Sequence, residues 1–350
     1  MRVVLSLSSF GRAPAASLVA LLVGAVPLVG QTVPAGTEAA LPAAAVRLEG
    51  RAFGQPASVE IAGLPGDRAE AAGRAAFAEL AAAEAALAPE GPLAALATSA
   101  GRAVALDPAL LELLERALGF CLWSDGRLGP LGGELYAHWG LRRPVPALPI
   151  PEVLSRAAES ARCDRLQVDR RTGKASLAAG SRIELWGFER GWAVDRAVDR
   201  LRRDGVTNAR VVVGRVQRGF GPGPRNRGWM VEGLRFPGLA EPLAPVVLRD
   251  RALAAATFDD ATIEIAGERL APYVDLRNGK PSRGLVAALA ASDLAVDAQG
   301  VATAMFVAGS TQGQLLLGSL RPAPAVLWLV GSGVGEPLFE GSRWSTLRPR

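Results

Sequence analysis

Histidine is almost missing from this chain: His138 is the only one in 350 residues. A Ser-His-Asp relay needs a histidine to carry its proton, and a histidine-built metal centre needs several, so neither chemistry is expected. His138 lies beside Trp139 and reads as a packed or surface residue rather than a base. Lysine is confined to Lys174 and Lys280, so nearly all cationic side chains are arginines. They are scattered among carboxylates, the formal net charge is only +5, and no basic run interleaved with aromatics occurs. Nucleic acid is therefore not an expected partner. The abundance of alanine, glycine and arginine is a bias of the kind a GC-rich genome imposes. Cysteine is limited to Cys121 and Cys163; the sequence leaves open whether they pair or remain two buried thiols. There is no internal repeat, and no linker marks a second domain boundary.

What is present suits a globular protein. With 49% hydrophobic residues the chain can bury a large core, as one big domain or two closely packed ones. Arg2 and Arg12 precede an uncharged run from Ala13 to Gly30 rich in leucine and valine, which reads as an export signal at 1–30 cleaved near Gly30. The competing reading is an uncleaved anchor, and membrane association is expected only in that case. No cysteine follows the signal, so the expected product is periplasmic or in the cell envelope and is not a lipoprotein. A Pro/Ala-rich linker at 31–45 leads into one domain at 46–350.

Within that domain Val46 to Ala62 reads as two short strands broken near Gly54 and Pro56. Pro65 to Leu87 reads as a long alanine-rich helix, with Ala76, Phe77, Leu80, Ala83 and Leu87 on one side. Asp107-Pro108, an N-cap followed by proline at the first helical position, opens another helix with a stripe through Leu110, Leu111, Leu114, Ala117, Leu118 and Cys121. Pro151 to Arg162 is a further helix, and Leu166 to Ser176 a hairpin around Thr172-Gly173. Strands are expected at Asn208–Val213, Trp229–Leu234, Val246–Arg249, Thr262–Ile265 and Val326–Val330. Strands that mostly follow strands point to an α+β fold. The Gly219-x-Gly221-x-Gly223 spacing, interrupted by Pro222 and Pro224, cannot open a helix and reads as a flexible loop.

The most informative stretch runs from Glu184 to Asp199. From Gly191 onward Val194, Ala197, Val198 and Leu201 recur at helical spacing, while Asp195, Arg196, Asp199 and Arg200 fill the other face. A glycine-containing loop thus opens an amphipathic helix, and such a junction is a common place to hold a phosphate. The segment resembles the Asp-Leu-Gly-Gly-Ile-Ala-Lys-Gly-Tyr-Ala-Val-Asp signature of the ApbE-type FAD:protein FMN transferase family. Four further blocks resemble that family in the same order. They are Ser124-Asp125-Gly126 with His138-Trp139-Gly140, Asn208 to Val216, Pro272 to Pro281, and Ala298 to Gly309. With the segments around them they span roughly residues 45 to 335.

The resemblance implies a fold of mostly antiparallel sheets with packed helices. It also implies an activity: transfer of FMN from FAD to a threonine or serine hydroxyl of an exported acceptor protein, with magnesium on the pyrophosphate. By the same resemblance Asp275 and Thr303 hold catalytic positions. Glu184, Gly187, Arg190, Gly214, Arg215, Arg277 and Gly279 line the FAD site, and Gln299 and Thr303 stand where the family binds its metal. The departures are as telling. Gln299 replaces an aspartate and is a far poorer magnesium ligand than a carboxylate, and Asp297 lies about 200° around a helix from it. Trp186 replaces the first glycine of the pair, Arg190 the lysine, Arg215-Val216 the end of a Gly-Gly-Asp turn, Pro272 a histidine, and Phe53-Gly54-Gln55 a Met-Gly-Thr. Weak magnesium binding is expected, with Arg190, Arg215 and Arg218 as candidate substitutes for the ion. Two functions follow: a divergent FMN transferase, or a non-catalytic relative that binds flavin or only a protein partner.

Overall fold

The computed structural model describes residues 45–349 except 142, 144, 146, 262 and 332–335. The expected export signal and, apart from Ala45, the linker lie outside the described residues.

Eight strands form the main sheet: β1 (Val46–Ala52), β2 (Gln55–Ile61), β3 (Ala209–Val213), β4 (Val216–Phe220), β5 (Arg251–Thr257), β6 (Leu285–Ser292), β7 (Ala325–Val330) and β8 (Leu338–Ser342). Each pairs antiparallel with its successor in this order, from Val46 opposite Ile61 in the first hairpin to Val330 opposite Leu338 in the last. The first hairpin turns on Phe53 and Gly54, both at positive φ, the geometry a two-residue turn needs to match strand twist. Small ladders surround this sheet, among them the Leu166–Asp169/Lys174–Leu177 hairpin and a pair formed by Trp229–Val231 and Val246–Leu248. The fold is α+β with antiparallel sheets.

Five longer helices are α1 (Gly66–Ala86), α2 (Pro108–Trp123), α3 (Pro151–Ser160), α4 (Glu189–Arg203) and α5 (Ala295–Leu317). The Asp107 side chain accepts from the Ala109 N–H with Pro108 in the first turn, so α2 starts where its cap predicts. Helix α4 begins at Glu189, two residues before the expected start. Helix α5 runs well past Gly309, which breaks its regular dihedrals at φ 71°; glycine adopts that conformation without the Cβ penalty.

Both faces of the sheet are covered. Ala252, Ala254 and Ala256 of β5 and Ala288 and Ala290 of β6 enter one core with α1, α4 and α5. The intervening Leu253, Ala255, Ala287, Leu289 and Ala291 enter a second core under Trp229, Phe236 and Leu248. A strand buried on both faces loses the apolar/polar alternation that reveals a half-exposed one, so β5 and β6, rich in alanine, carry no strand signal. The Gly219-Gly223 segment is also not a loose loop. Gly219 lies in β4 against Trp229, where a Cβ would meet the ring at 2.8 Å, and the Gly223 N–H donates to Asn208 Oδ1 at 2.8 Å.

Cys121 and Cys163 are disulfide-bonded, joining the end of α2 to the turn after α3. Beside this bond lies a cleft of about 540 Å³, bordered by Asp125, Gly126, Leu276 and Arg277. Among the described residues no helix is long and apolar enough to cross a membrane.

Candidate functional site

The loop 184–188, the start of α4 and the first half of α5 meet at one buried junction. Glu184 enters it by pairing with Leu131 in an isolated parallel bridge, its N–H donating to Pro130 at 2.8 Å. The Glu184 carboxylate accepts from the Trp186 N–H at 3.1 Å, so it shapes the loop. Gly187 faces Thr303: a Cβ there would lie 3.0 Å from Leu128 and 3.4 Å from the Thr303 methyl. Gly191 is required more strictly, because a Cβ would stand 2.4 Å from the Ala295 carbonyl. The missing side chain lets the backbones of α4 and α5 touch.

That close approach gives Gln299 its role. Its Oε1 accepts from the Gly191 N–H at 2.7 Å, and its Nε2 donates to the Trp186 carbonyl at 2.8 Å. The amide therefore clamps loop to helix with both ends. The N–H groups of Glu189 and Trp192 are likewise taken, by the carbonyls of Leu185 and Phe188. The junction is thus not the open nest of backbone donors that the loop-helix pattern suggests.

Among the described residues no cluster of three or more histidine, cysteine, aspartate or glutamate side chains could hold a metal ion. Asp297 is buried and bonded to Arg116 at 2.7 Å, and burial raises its pKa. Magnesium needs several oxygen ligands, usually including carboxylates. Gln299 and Thr303 offer one committed amide and one hydroxyl, so the donor set does not fit the ion.

Among the described residues, Arg190 and Thr257 near the junction are incompletely paired. Arg190 is only 6% exposed, yet it donates no hydrogen bond to any described residue, and its ion-pair partner Asp260 stands 3.9 Å away. The Thr257 hydroxyl is buried without a partner. Buried donors of this kind are normally satisfied, and a guanidinium has five N–H groups to satisfy. Asp260 organises this side of the site. It accepts from the Thr257 N–H at 3.2 Å and from the Tyr273 hydroxyl in a very short bond, and lies 3.5 Å from Arg215. Burial first and the Asp260 charge second hold the Tyr273 phenol well above its ordinary pKa, so Tyr273 stays a donor. Asp260, Tyr273 and Thr257 escape sequence reasoning; Tyr273, one of only two tyrosines, was the available signal.

The other expected FAD residues divide. Arg215 is tied to Asp259 and the Arg235 carbonyl, both at 3.4 Å, and stacks on Phe236. Arg218 is buried and bonded to Asp195 at 2.7 Å, which removes it as a stand-in for the ion. Asp195 is not on a solvent face: its two oxygens also accept from the N–H groups of Ala295 and Val296, each at 2.9 Å, capping α5 from α4. Gly214, at φ 55°, turns the chain beside Gln55, and its N–H donates to Pro56. Asp275 and Arg277 form their own pair through Nε at 3.0 Å and Nη2 at 2.8 Å, and Arg277 also reaches Asp125 at 3.2 Å. Gly279, at φ 70°, packs against Leu135, and its carbonyl accepts from Trp139 at 2.6 Å. Leu276 and Arg277 of this turn border the neighbouring cleft, and Tyr273, just before the turn, bonds to Asp260.

An antiparallel eight-strand sheet with a glycine-dependent helix junction on one face defines an α+β fold with one close-packed helix pair. The chain belongs to the ApbE family, whose sequence pattern it matches over residues 53–328. It is 28% identical over 217 residues to a FAD:protein FMN transferase of Rhodobacter capsulatus, covering 61% of this chain and about two fifths, 41%, of that relative. Among solved structures it is similar to the ApbE protein of Thermotoga maritima (TM-score 0.77, 20% identity, 87% of this chain and 99% of that one). It is also similar to the apo flavinyl transferase ApbE of Pseudomonas stutzeri (TM-score 0.73, 20% identity, 85% and 94%).

Proposed function

We propose that this protein binds FAD at the α4–α5 junction and transfers its FMN half to a serine or threonine hydroxyl of an exported protein. The observation that carries the reading is Arg190. Its guanidinium has one carboxylate partner, Asp260, at 3.9 Å, which leaves most of its five N–H groups to be satisfied, and a diphosphate supplies acceptor oxygens for them. In the reaction the acceptor oxygen bonds to the FMN phosphorus, the diphosphate P–O bond breaks, AMP leaves with the bonding electrons, and the hydroxyl proton passes to a base or to water. Family membership and the transferase relative support the same assignment. The Cys121–Cys163 disulfide favours an oxidising compartment, in keeping with export and loss of the first 30 or so residues. Amino-terminal sequencing of protein from the cell envelope tests that part; a mature chain starting at Met1 overturns it.

The test of function is saturable quenching of FAD fluorescence together with AMP release over time. Binding with release is the expected result. No saturable binding overturns the reading, and binding without release, even with acceptor proteins from the envelope, leaves a flavin-binding relative in place of an enzyme.

A further inference from the structure

The residues at the loop-helix junction disagree with a divalent cation in a specific way. A cation between loop 184–188 and α5 would need the Trp186 carbonyl and the side chain at 299 to turn lone pairs toward it. Here the Gln299 NH₂ group points its hydrogens at that carbonyl, at 2.8 Å, while Oε1 is committed to Gly191 at 2.7 Å. The amide puts partial positive charge against the Trp186 oxygen and joins loop 184–188 and the start of α4 to α5. Three buried carboxylates of the surrounding elements are already engaged. Asp297 holds Arg116, Asp195 holds Arg218 and the start of α5, and Asp260 holds Tyr273 and the Thr257 N–H.

We propose that Gln299 replaces the divalent cation at this junction, so that the diphosphate ligand is bound without metal, with Arg190 supplying the positive charge. The proposal rests on the reading of FAD as the ligand, but its consequence for magnesium alone does not. A guanidinium is covalently part of the chain and stays charged at any working pH, whereas an ion must be recruited. Gln299 acts as a positioning residue: it holds the Trp186 carbonyl and the Gly191 N–H, and through them the loop and helix start that carry Arg190.

The decisive measurements use the unmodified protein. Calorimetric titration with magnesium chloride alone is expected to show no site, and the melting temperature to be the same in magnesium as in excess EDTA. The FAD dissociation constant is expected to agree within about twofold between these conditions. A saturable magnesium heat, a magnesium-dependent rise in melting temperature, or a loss of FAD affinity of about tenfold or more in EDTA overturns the proposal. If FAD fails to bind in either condition, the functional reading falls, while the magnesium titration still decides the role of Gln299. Gln299→Asp should lower the melting temperature in EDTA and recover it in magnesium. If that variant does not fold, Gln299→Glu, which keeps the length and loses the NH₂ donor, carries the same expectation. Recovery by magnesium in neither folded variant counts against a shared position for amide and ion.

Discussion

Asp195 of α4 and Arg218 of β4 form a buried ion pair at 2.7 Å, and the same carboxylate caps the first turn of α5. One side chain thus ties together a helix, a strand and the start of the helix that carries Gln299 and Thr303. The contact is structural, but it determines where the functional groups stand.

Removing either partner should be costly. Asp195→Ala leaves a buried arginine uncompensated, an error worth about 3–5 kcal/mol, and strips the cap from α5. Arg218→Ala should cost a similar amount by leaving the carboxylate. Urea denaturation at neutral pH measures both, and losses below about 1 kcal/mol, as for an exposed pair, would contradict the burial argument.

The same carboxyl gives a pH dependence with a definite sign. Burial, the largest effect, pushes Asp195 up from 3.8 to about 6, against the pull of Arg218 and the two N–H groups. Between those values the folded protein keeps a proton that the unfolded chain releases. The contribution is therefore fully present below 3.8 and lost as pH rises through about 6. Denaturation midpoints of the native protein and Asp195→Asn should diverge with pH across that window, with the flatter profile in the variant. Parallel profiles would remove Asp195 as the source.

Arg190→Ala should weaken FAD binding by about 1.5–3 kcal/mol, the range for hydrogen bonds to charged groups. Riboflavin, which has no phosphate, should bind about as before. Arg215→Ala should have the smaller effect on FAD, since its guanidinium is already held by Asp259 and the Arg235 carbonyl. Equal losses for FAD and riboflavin in Arg190→Ala would refute contact with the diphosphate.

Opening the disulfide should destabilise without abolishing the junction. Its cysteines are 42 residues apart, for which chain entropy gives about 4 kcal/mol. Cys121→Ser with Cys163→Ser should lower the melting temperature by several degrees, while FAD affinity at the α4–α5 junction changes little. An unchanged melting temperature would mean that the link adds nothing to the native state.

Local chemistry determined much of this protein from the sequence alone. Asp107 and Pro108 start α2 because a carboxylate and an imino acid suit the unpaired N–H groups of a first turn. Val194, Ala197, Val198 and Leu201 show the buried face of α4 because helical spacing puts them on one stripe, and the order of the motif blocks points to the family. Tertiary structure decided what spacing cannot express. Leu253 to Ala256 and Ala287 to Ala291 are strands because both sheet faces are covered, which erases alternation. Asp195 reads as a solvent-facing charge until β4 brings Arg218 to it. Arg218, Arg215 and Asp275 have the charges a ligand site calls for, yet each is held by a protein partner. Gln299 reads as a lost metal ligand until the fold places its two amide ends against Gly191 and Trp186, residues more than 100 positions away. A side chain's chemistry is written in the sequence, but which partner satisfies it depends on distances that only the folded chain sets.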